Sequence, residues 1–259
     1  MEPIISIRNL SKSYGTKTVL QDINVEIYPG QVIGYIGPNG AGKSTTVKIL
    51  CGLLTDYQGT VTVNGLDVKT QTLDVKKQIG YIPELAELYD VLTPNEYLQF
   101  TATLYNLEKE VATQRIEKIM AAFGLEANLN QRMDTFSKGM RQKVLIASGL
   151  LHNPGIIILD EPLSGLDANS VIIMKELISR LAKDGKTIFY CSHMMDVVEK
   201  VSDRIVLING GRIVADGSFE ELKQQQGDKS LEQIFASLTA TDSLSAAADE
   251  LAKAMESRS

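Results

Sequence analysis

Ile36-Gly37-Pro38-Asn39-Gly40-Ala41-Gly42-Lys43-Ser44-Thr45 decides the fold of this chain. A β-type run over residues 31–36 leads into it, and residues 44–54, apolar at helical spacing, lead out. The order is therefore strand, glycine-rich turn, helix. Gly37 to Ser44 fit GxxxxGK[ST], the phosphate loop, in the context that the motif requires. Glycines let backbone N–H groups turn inward around anionic oxygens, and the following helix points its positive end at the same place. Lys43 adds a mobile cation for the β and γ phosphates, and Ser44 offers a hydroxyl to Mg²⁺. Gly37, Pro38, Asn39, Gly40, Ala41, Gly42, Lys43, Ser44 and Thr45 are thus the candidate nucleotide-binding residues. The loop alone does not separate an ATPase from a GTPase or a kinase.

Upstream, residues 4–10 and 19–27 read as strands, with Pro29-Gly30 making a turn before the third. Downstream, residues 59–63 with Asn64-Gly65 read as strand and turn, and residues 78–82 as a strand halted by Pro83. Thr93-Pro94-Asn95-Glu96 combines an N-cap, a first-turn proline and a glutamate three residues after the cap, which predicts a helix to about Tyr105. Further helices are expected over residues 114–123 and from Ser137 to about Leu151, where Pro154-Gly155 ends the block. This helical block interrupts an α/β pattern, as an inserted subdomain would. Ile156-Ile157-Ile158-Leu159 has the look of a strand buried on both faces. Helices over 170–182 and 194–201, a strand over 187–191 and a hairpin at Asn209-Gly210-Gly211 complete a mainly parallel sheet. Ser218 to Glu221 and Ser230 to Gln233 fit capping boxes, so the tail starts with two short helices. Beyond Thr239, Ala, Ser and charged residues predict an amphipathic or poorly ordered end.

With 259 residues and 44% hydrophobic content the chain can bury the core of one large domain, or of a domain plus a small subdomain. Disordered and collagen-like readings are excluded. The net charge of −6, with no basic block, argues against binding nucleic acid by neutralising phosphates. Cys51 and Cys191 are far apart and lack CxxC spacing, so they are expected as buried small hydrophobes rather than a disulfide or zinc site. No apolar stretch approaches the roughly 18 residues that span a bilayer, and no basic-then-apolar leader is seen. A cytosolic protein is expected, whose membrane role would need another chain.

Asp160 and Glu161 end the apolar run 156–159. A carboxylate there, beside a phosphate loop, can hold a metal through water, which makes Asp160 the metal candidate. Glu161 then sits where it can orient the attacking water and take its proton. Between the loop and these acids lies Phe136-Ser137-Lys138-Gly139-Met140-Arg141-Gln142-Lys143. Alone it reads as a capped helix start. In this position it resembles the ATP-binding-cassette (ABC) signature, usually LSGGQ, in an SKGM-type variant.

The resemblance covers about residues 4–217 and implies an ATP-hydrolysing subunit of an ABC transporter. It assigns Tyr14 to stacking on adenine, Ser164-Gly165-Leu166-Asp167 to the loop after the acidic strand, and His193 to the switch histidine. A lone histidine is more often structural. At a strand end, however, an imidazole can donate to a γ-phosphate while its other nitrogen is held elsewhere. His152 has no such context and is expected at the surface. Glu84 stands where many cassettes carry glutamine. It is a further metal candidate, although an unpaired carboxylate would repel phosphate oxygens. Glu84 together with SKGM resembles exporters of drugs, peptides or polysaccharides.

The expected fold class is α/β: a P-loop NTPase core, mainly parallel sheet flanked by helices, with an N-terminal antiparallel β subdomain and an inserted α-helical subdomain. Residues 1–84 and 155–218 would form the core, 85–154 the helical subdomain and 219–259 a helical tail. The cofactors implied are ATP and Mg²⁺. The catalytic candidates are Glu161, His193 and Lys43, and the metal candidates Ser44, Asp160 and Glu84. In the family, Ser137 and Gly139 would act in trans, on ATP held by a second copy or a sister chain. The other implied partner is a membrane-spanning permease, which would hold the protein on the inner face of the membrane. Residues 85–93 resemble its docking groove, with packing into the chain's own core as the rival reading. A non-transport cassette serving nucleic acid or cluster assembly is the alternative, but the long coiled coils or second cassette of such proteins are not seen. A GTPase would want an Asn-Lys-x-Asp base reader, and none is found. A purely structural module would need Lys43 or Glu161 to be idle.

Overall fold

A computed structural model of the protein describes residues 1–85, 87–227 and 229–239; the expected amphipathic or poorly ordered end lies outside these residues. Strands β1 (Ile5–Tyr14), β2 (Lys17–Ile27), β4 (Gln58–Val63) and β5 (Leu66–Asp67) form an antiparallel sheet in the order β2-β1-β4-β5. Strands β3 (Val32–Ile36), β6 (Ile79–Ile82), β7 (Ile156–Asp160), β8 (Thr187–Cys191), β9 (Arg204–Asn209) and β10 (Arg212–Gly217) form the second, ordered β10-β9-β3-β8-β7-β6. Its pairs are parallel except for the β9–β10 hairpin.

Successive side chains of a strand point to opposite faces, and the second sheet uses both. Ile33, Tyr35, Ile156, Ile158 and Phe189 join Ile5, Ile7, Leu20 and Val61 of the first sheet in one core. That core also holds Val47, Ile49 and Leu50 of α1 (Lys43–Leu50). Val32, Ile36, Ile157, Leu159, Ile188 and Tyr190 point into the other core. There they meet α3 (Pro94–Leu104), α4 (Lys109–Ala122), α5 (Lys138–Leu150), α6 (Ala168–Lys183), α7 (Met195–Val201), α8 (Phe219–Gln226) and α9 (Leu231–Thr239). Helix α5 comes close to β6 because two glycines face each other: a Cβ on Gly80 would collide with the Gly149 carbonyl.

Local signals account for most of these elements. The Thr93 box closes both ways: Glu96 N donates to Thr93 Oγ1 at 3.2 Å and Thr93 N to Glu96 Oε2 at 2.8 Å. Ser218 with Glu221 and Ser230 with Gln233 do the same at the starts of α8 and α9. Both cysteines are buried.

The departures have local causes. Helix α2 (Thr72–Gln78), unforeseen, has no side-chain cap and buries only Val75, so it carries no periodic signal; Gln78, read as a strand residue, ends it. Helix α4 starts at Lys109 rather than near 114, because its first buried position is the weakly apolar Ala112. Strand β1 runs on to Tyr14 through the polar Ser11, Lys12 and Ser13, past register shifts. His152, expected at the surface, is half-buried, with both ring nitrogens shielded from solvent. It lies in the turn that follows α5, closed by Asn153 N on the Leu150 carbonyl at 2.9 Å, and stacks on Tyr105, the C-cap of α3, with ring centroids 3.6 Å apart; burial pushes its pKa down to about 4.

Candidate active site

Three neighbouring parallel strands, β3, β8 and β7, end at the same level. Tyr35 and Asp160 both pair with Cys191. The residues just beyond, Gly37, Glu161 and Ser192-His193, therefore emerge together at the carboxyl edge of the sheet, where open α/β sheets place ligands.

After β3 the chain turns tightly. Gly37 abuts the Ile208 carbonyl too closely for any Cβ, and Gly42 has φ 110° and lies against Leu20 of β2. Gly42 is also the N-cap of α1 and brings no side-chain acceptor, and the first turn carries no acid. The N–H groups there are thus left without a side-chain partner from the cap, as an anion site requires. Lys43 Nζ folds back and donates to the carbonyls of Gly37 at 2.6 Å and Pro38 at 3.2 Å. Thr46, buried, anchors the helix by donating from Oγ1 to the Gly42 carbonyl at 3.1 Å, while Ser44 and Asn39-Gly40 are not buried. Tyr14, 49% exposed, sits at the tip of the β1–β2 hairpin, whose Val19 and Leu20 touch Gly42.

Asp160 is 6% exposed. Burial pushes its pKa up to about 6, helped by the charges of Glu161 and Glu84 and opposed by Lys43 and Lys48. Glu84 itself is exposed. Among the described residues no three His, Cys, Asp or Glu side chains converge on one metal position. The oxygen donors on hand, Ser44, Asp160 and Glu84, still suit Mg²⁺, which keeps its waters and takes few protein ligands beside phosphate oxygens. The carboxylates crowded around Asp160, which lift its pKa, mark a place where a cation is favoured.

Glu161 has φ 49°, a left-handed backbone unusual for a residue with a Cβ and often seen at functional sites. Its N–H donates to the Cys191 carbonyl at 2.9 Å. The side chain, 13% exposed, turns one oxygen inward: Oε2 faces His193 Nδ1 at 2.8 Å, Ser192 Oγ at 3.3 Å and His193 N at 3.4 Å. The imidazole remains 72% exposed. Its Nε2 and the Glu161 Oε1 are thus left for other partners.

The signature segment caps α5: Ser137 Oγ accepts from Met140 N at 3.2 Å. A Cβ on Gly139 would lie 3.1 Å from the Gly165 carbonyl, so the segment abuts the loop after β7. Gln142, 1% exposed, donates to the Pro162 carbonyl at 3.3 Å, and Lys143 meets Asp167 at 3.4 Å. Asp167 caps α6 through Ser170, whose hydroxyl and N–H, with Lys143, hold its carboxyl well below the usual range. Ser192 gave no signal in the sequence, being uncharged and outside any motif, and Gln142, though within the signature segment, could not be assigned its contact with the Pro162 carbonyl from the sequence. Asp167 could have been found as a cap, since Ser170 follows it at the capping interval.

Residues 85–93 divide. Leu88 and Leu92 pack into the core, whereas Leu85, Tyr89 and Val91 are exposed. Asp90 receives Arg141 Nη1 of α5 at 2.9 Å. Beside this segment a hollow of about 410 Å³ opens between α3 and β6, lined by Cys51, Leu53, Tyr81, Tyr89, Tyr97, Phe100, Leu104 and Tyr105 among others. Among the described residues no helix is long and apolar enough to cross a membrane.

The profile of the ABC transporter family matches residues 20–164. The ABC transporter ATP-binding protein NatA of Bacillus subtilis is 37% identical over 239 residues, 90% of this chain and 97% of that protein. The linearmycin resistance ATP-binding protein LnrL of the same organism is 34% identical over 234 residues, 90% of this chain and 75% of that one. A solved ATP-binding subunit of an ABC transporter superposes with a TM-score of 0.87 at 32% identity, covering 92% of this chain and all of that one.

Proposed function

The chain belongs to the ABC transporter family, as an ATP-binding and ATP-hydrolysing subunit, and from that premise we propose how its residues divide the work. The observation that carries the proposal is the Glu161–His193 pair at the strand ends beside the phosphate loop. ATP enters with its phosphates against the N–H groups of residues 39–45 and its base on Tyr14. Lys43 then exchanges the carbonyls of Gly37 and Pro38 for the β and γ oxygens. Mg²⁺, when bound, would neutralise the phosphate charge; Ser44 would hold it directly, Asp160 through water, and Glu84 from further out.

With Oε2 held by Ser192 and His193, Glu161 presents Oε1 to the attacking water, orients it in line and accepts its proton. With both ring nitrogens protonated, His193 keeps its Nδ1–H on Glu161 and donates from Nε2–H to the γ-phosphate. One chain carries one copy of each motif. Ser137 and Gly139 therefore serve the ATP of a second copy or a sister chain, and ATP closes the pair because it binds the closed state best. Residues 1–84 and 155–218 act as the ATP-binding core and 85–154 as a helical subdomain, with 219–259 as a tail. The Tyr-rich hollow and the exposed Leu85, Tyr89 and Val91 take a helix of a membrane-spanning permease, which holds the protein at the inner membrane face. Kinship to a resistance protein supports export as the direction.

The test is Glu161→Gln. It keeps shape and hydrogen bonding but removes the base, so turnover should vanish while an ATP-bound dimer accumulates on a sizing column. Undiminished hydrolysis would remove Glu161 from its role. Co-purification from membranes with a multi-span protein tests the transport partner; ribosomes or DNA in its place would overturn it.

A further inference from the structure

Lys12 stands where a strand of this kind should bury an apolar side chain. It lies on the inward face of β1, two residues after the fully buried Leu10, and its side chain is only 4% exposed. Burying an ammonium is unfavourable unless it is paired. The partner is Asp56, whose side chain is 96% exposed, at 2.9 Å. A half-solvated pair of this kind adds little to stability, and an apolar side chain of similar volume would serve the core at least as well. The backbone singles Lys12 out too. Register shifts in the β1–β2 pairing fall on both sides of it, between Leu10 and Lys12 and between Lys12 and Ser13. Such irregularities re-aim a side chain.

The target is Tyr14. The Lys12 ammonium lies 4.9 Å from the Tyr14 ring centroid, within cation–π range, while the ring is half exposed. One side of the ring is thus engaged by a fixed cation and the rest is open to solvent. The arrangement also sits beside the phosphate loop, since Lys12 pairs with Leu20 of β2 and Leu20 touches Gly42.

We propose that Lys12, held by Asp56, is a positioning residue for nucleotide: it fixes the Tyr14 ring so that its open face is set for the base. A ring immobilised before binding loses less freedom when the base arrives, and the contact is therefore stronger. The cation also draws π-density from the ring, which favours an electron-rich purine above it. The proposal rests on the base-stacking reading of Tyr14. It adds that Lys12 acts only through that ring, on binding and not on the chemical step.

The experiment compares two probes by titration calorimetry on the full chain: ADP, which carries the base, and inorganic pyrophosphate, which does not. Tyr14→Ala should weaken ADP about ten-fold, the usual worth of a base–aromatic stack, and leave pyrophosphate unchanged. Lys12→Met should weaken ADP about three-fold, the scale of one cation–π contact to a half-exposed ring, again without touching pyrophosphate. Lys12→Arg should restore most of the loss. The double variant should bind ADP no worse than Tyr14→Ala alone. In steady-state hydrolysis Lys12→Met should raise KM and leave kcat unchanged, with a melting temperature at or above that of the parent.

If Tyr14→Ala weakens ADP while Lys12→Met does not, the Lys12 proposal fails and the Tyr14 reading survives. If Tyr14→Ala has no effect, both fail. If Lys12→Met weakens ADP and pyrophosphate alike, Lys12 acts on the phosphates or on the fold, and the proposal is overturned. Asp56→Asn, a change at the exposed surface, guards against a folding artefact: it should move ADP affinity in the same direction by a smaller factor, and an unchanged affinity would show that Asp56 does not hold the lysine.

Discussion

Replacing Asp160 by asparagine should make the nucleotide-free protein more stable while abolishing its activity. Burial and the neighbouring Glu161 and Glu84 raise the Asp160 pKa from 3.8 to about 6. A carboxyl whose folded pKa exceeds its unfolded one favours the folded chain only while protonated. That contribution is full below about 3.8 and is lost as pH rises through about 6. The gap between the two values, at about 1.36 kcal/mol for each unit, is worth about 3 kcal/mol at pH 7.5. Asparagine carries no charge to bury, so Asp160→Asn should gain up to about 3 kcal/mol in chelator at pH 7.5. For a chain of this size that is on the order of 5–10 °C in melting temperature. At pH 5 the native Asp160 is mostly protonated in the folded state, and the gain should shrink to about 1.5 kcal/mol. Melting curves at the two pH values, with and without Mg²⁺ and ATP, measure this directly. The reasoning is refuted if Asp160→Asn melts at or below the parent at pH 7.5, or if its advantage does not diminish at pH 5. Saturating Mg²⁺ and ATP should narrow the difference, because only the parent can use the metal fully.

Three further outcomes follow from the same geometry. Gly37→Ala forces a Cβ into the Ile208 carbonyl, so it should abolish ATP binding in equilibrium dialysis and lower stability by about 2 kcal/mol. Ser192→Ala removes the hydroxyl that holds Glu161 Oε2, and kcat should fall roughly ten-fold with KM unchanged, the worth of one hydrogen bond to a charged group. Ile234→Ala empties a fully buried position where α9 packs against α7, the helix that follows His193. It should cost about 2–4 kcal/mol in urea unfolding, and ATP affinity should change less than stability does.

The phosphate loop was legible because it is a local structure: its turn, its glycines and the helix behind it lie within one short stretch. The same holds for the Thr93, Ser218 and Ser230 caps, each written within four residues. Helix α2 was not legible, since with only Val75 buried it is held by its surroundings rather than by its own pattern. His152 was misread for a related reason: what buries it is Tyr105, far along the chain, and no local rule reports such a neighbour.

Within the candidate site the division runs along the same line. Lys43, Asp160 and Glu161 could be named from the sequence because they open a helix or close an apolar strand run, and His193 because the chain resembles a family that places a histidine after such a strand. Their charges and pairings could not. The raised pKa of Asp160, the inward turn of Glu161 Oε2 to Ser192 and His193, and the engaged ring of Tyr14 all depend on which strands lie side by side. Most of the elements, the phosphate loop and the residue types available for ATP chemistry can be read directly along the chain, because they follow from backbone preferences over a few residues. That β8 lies between β3 and β7, and that the β1–β2 hairpin sets Leu20 and the Lys12–Tyr14 pair beside the loop, emerges only from the folded chain. Sheet order and burial arise from packing between distant segments, and they set the electrostatics on which the chemistry depends.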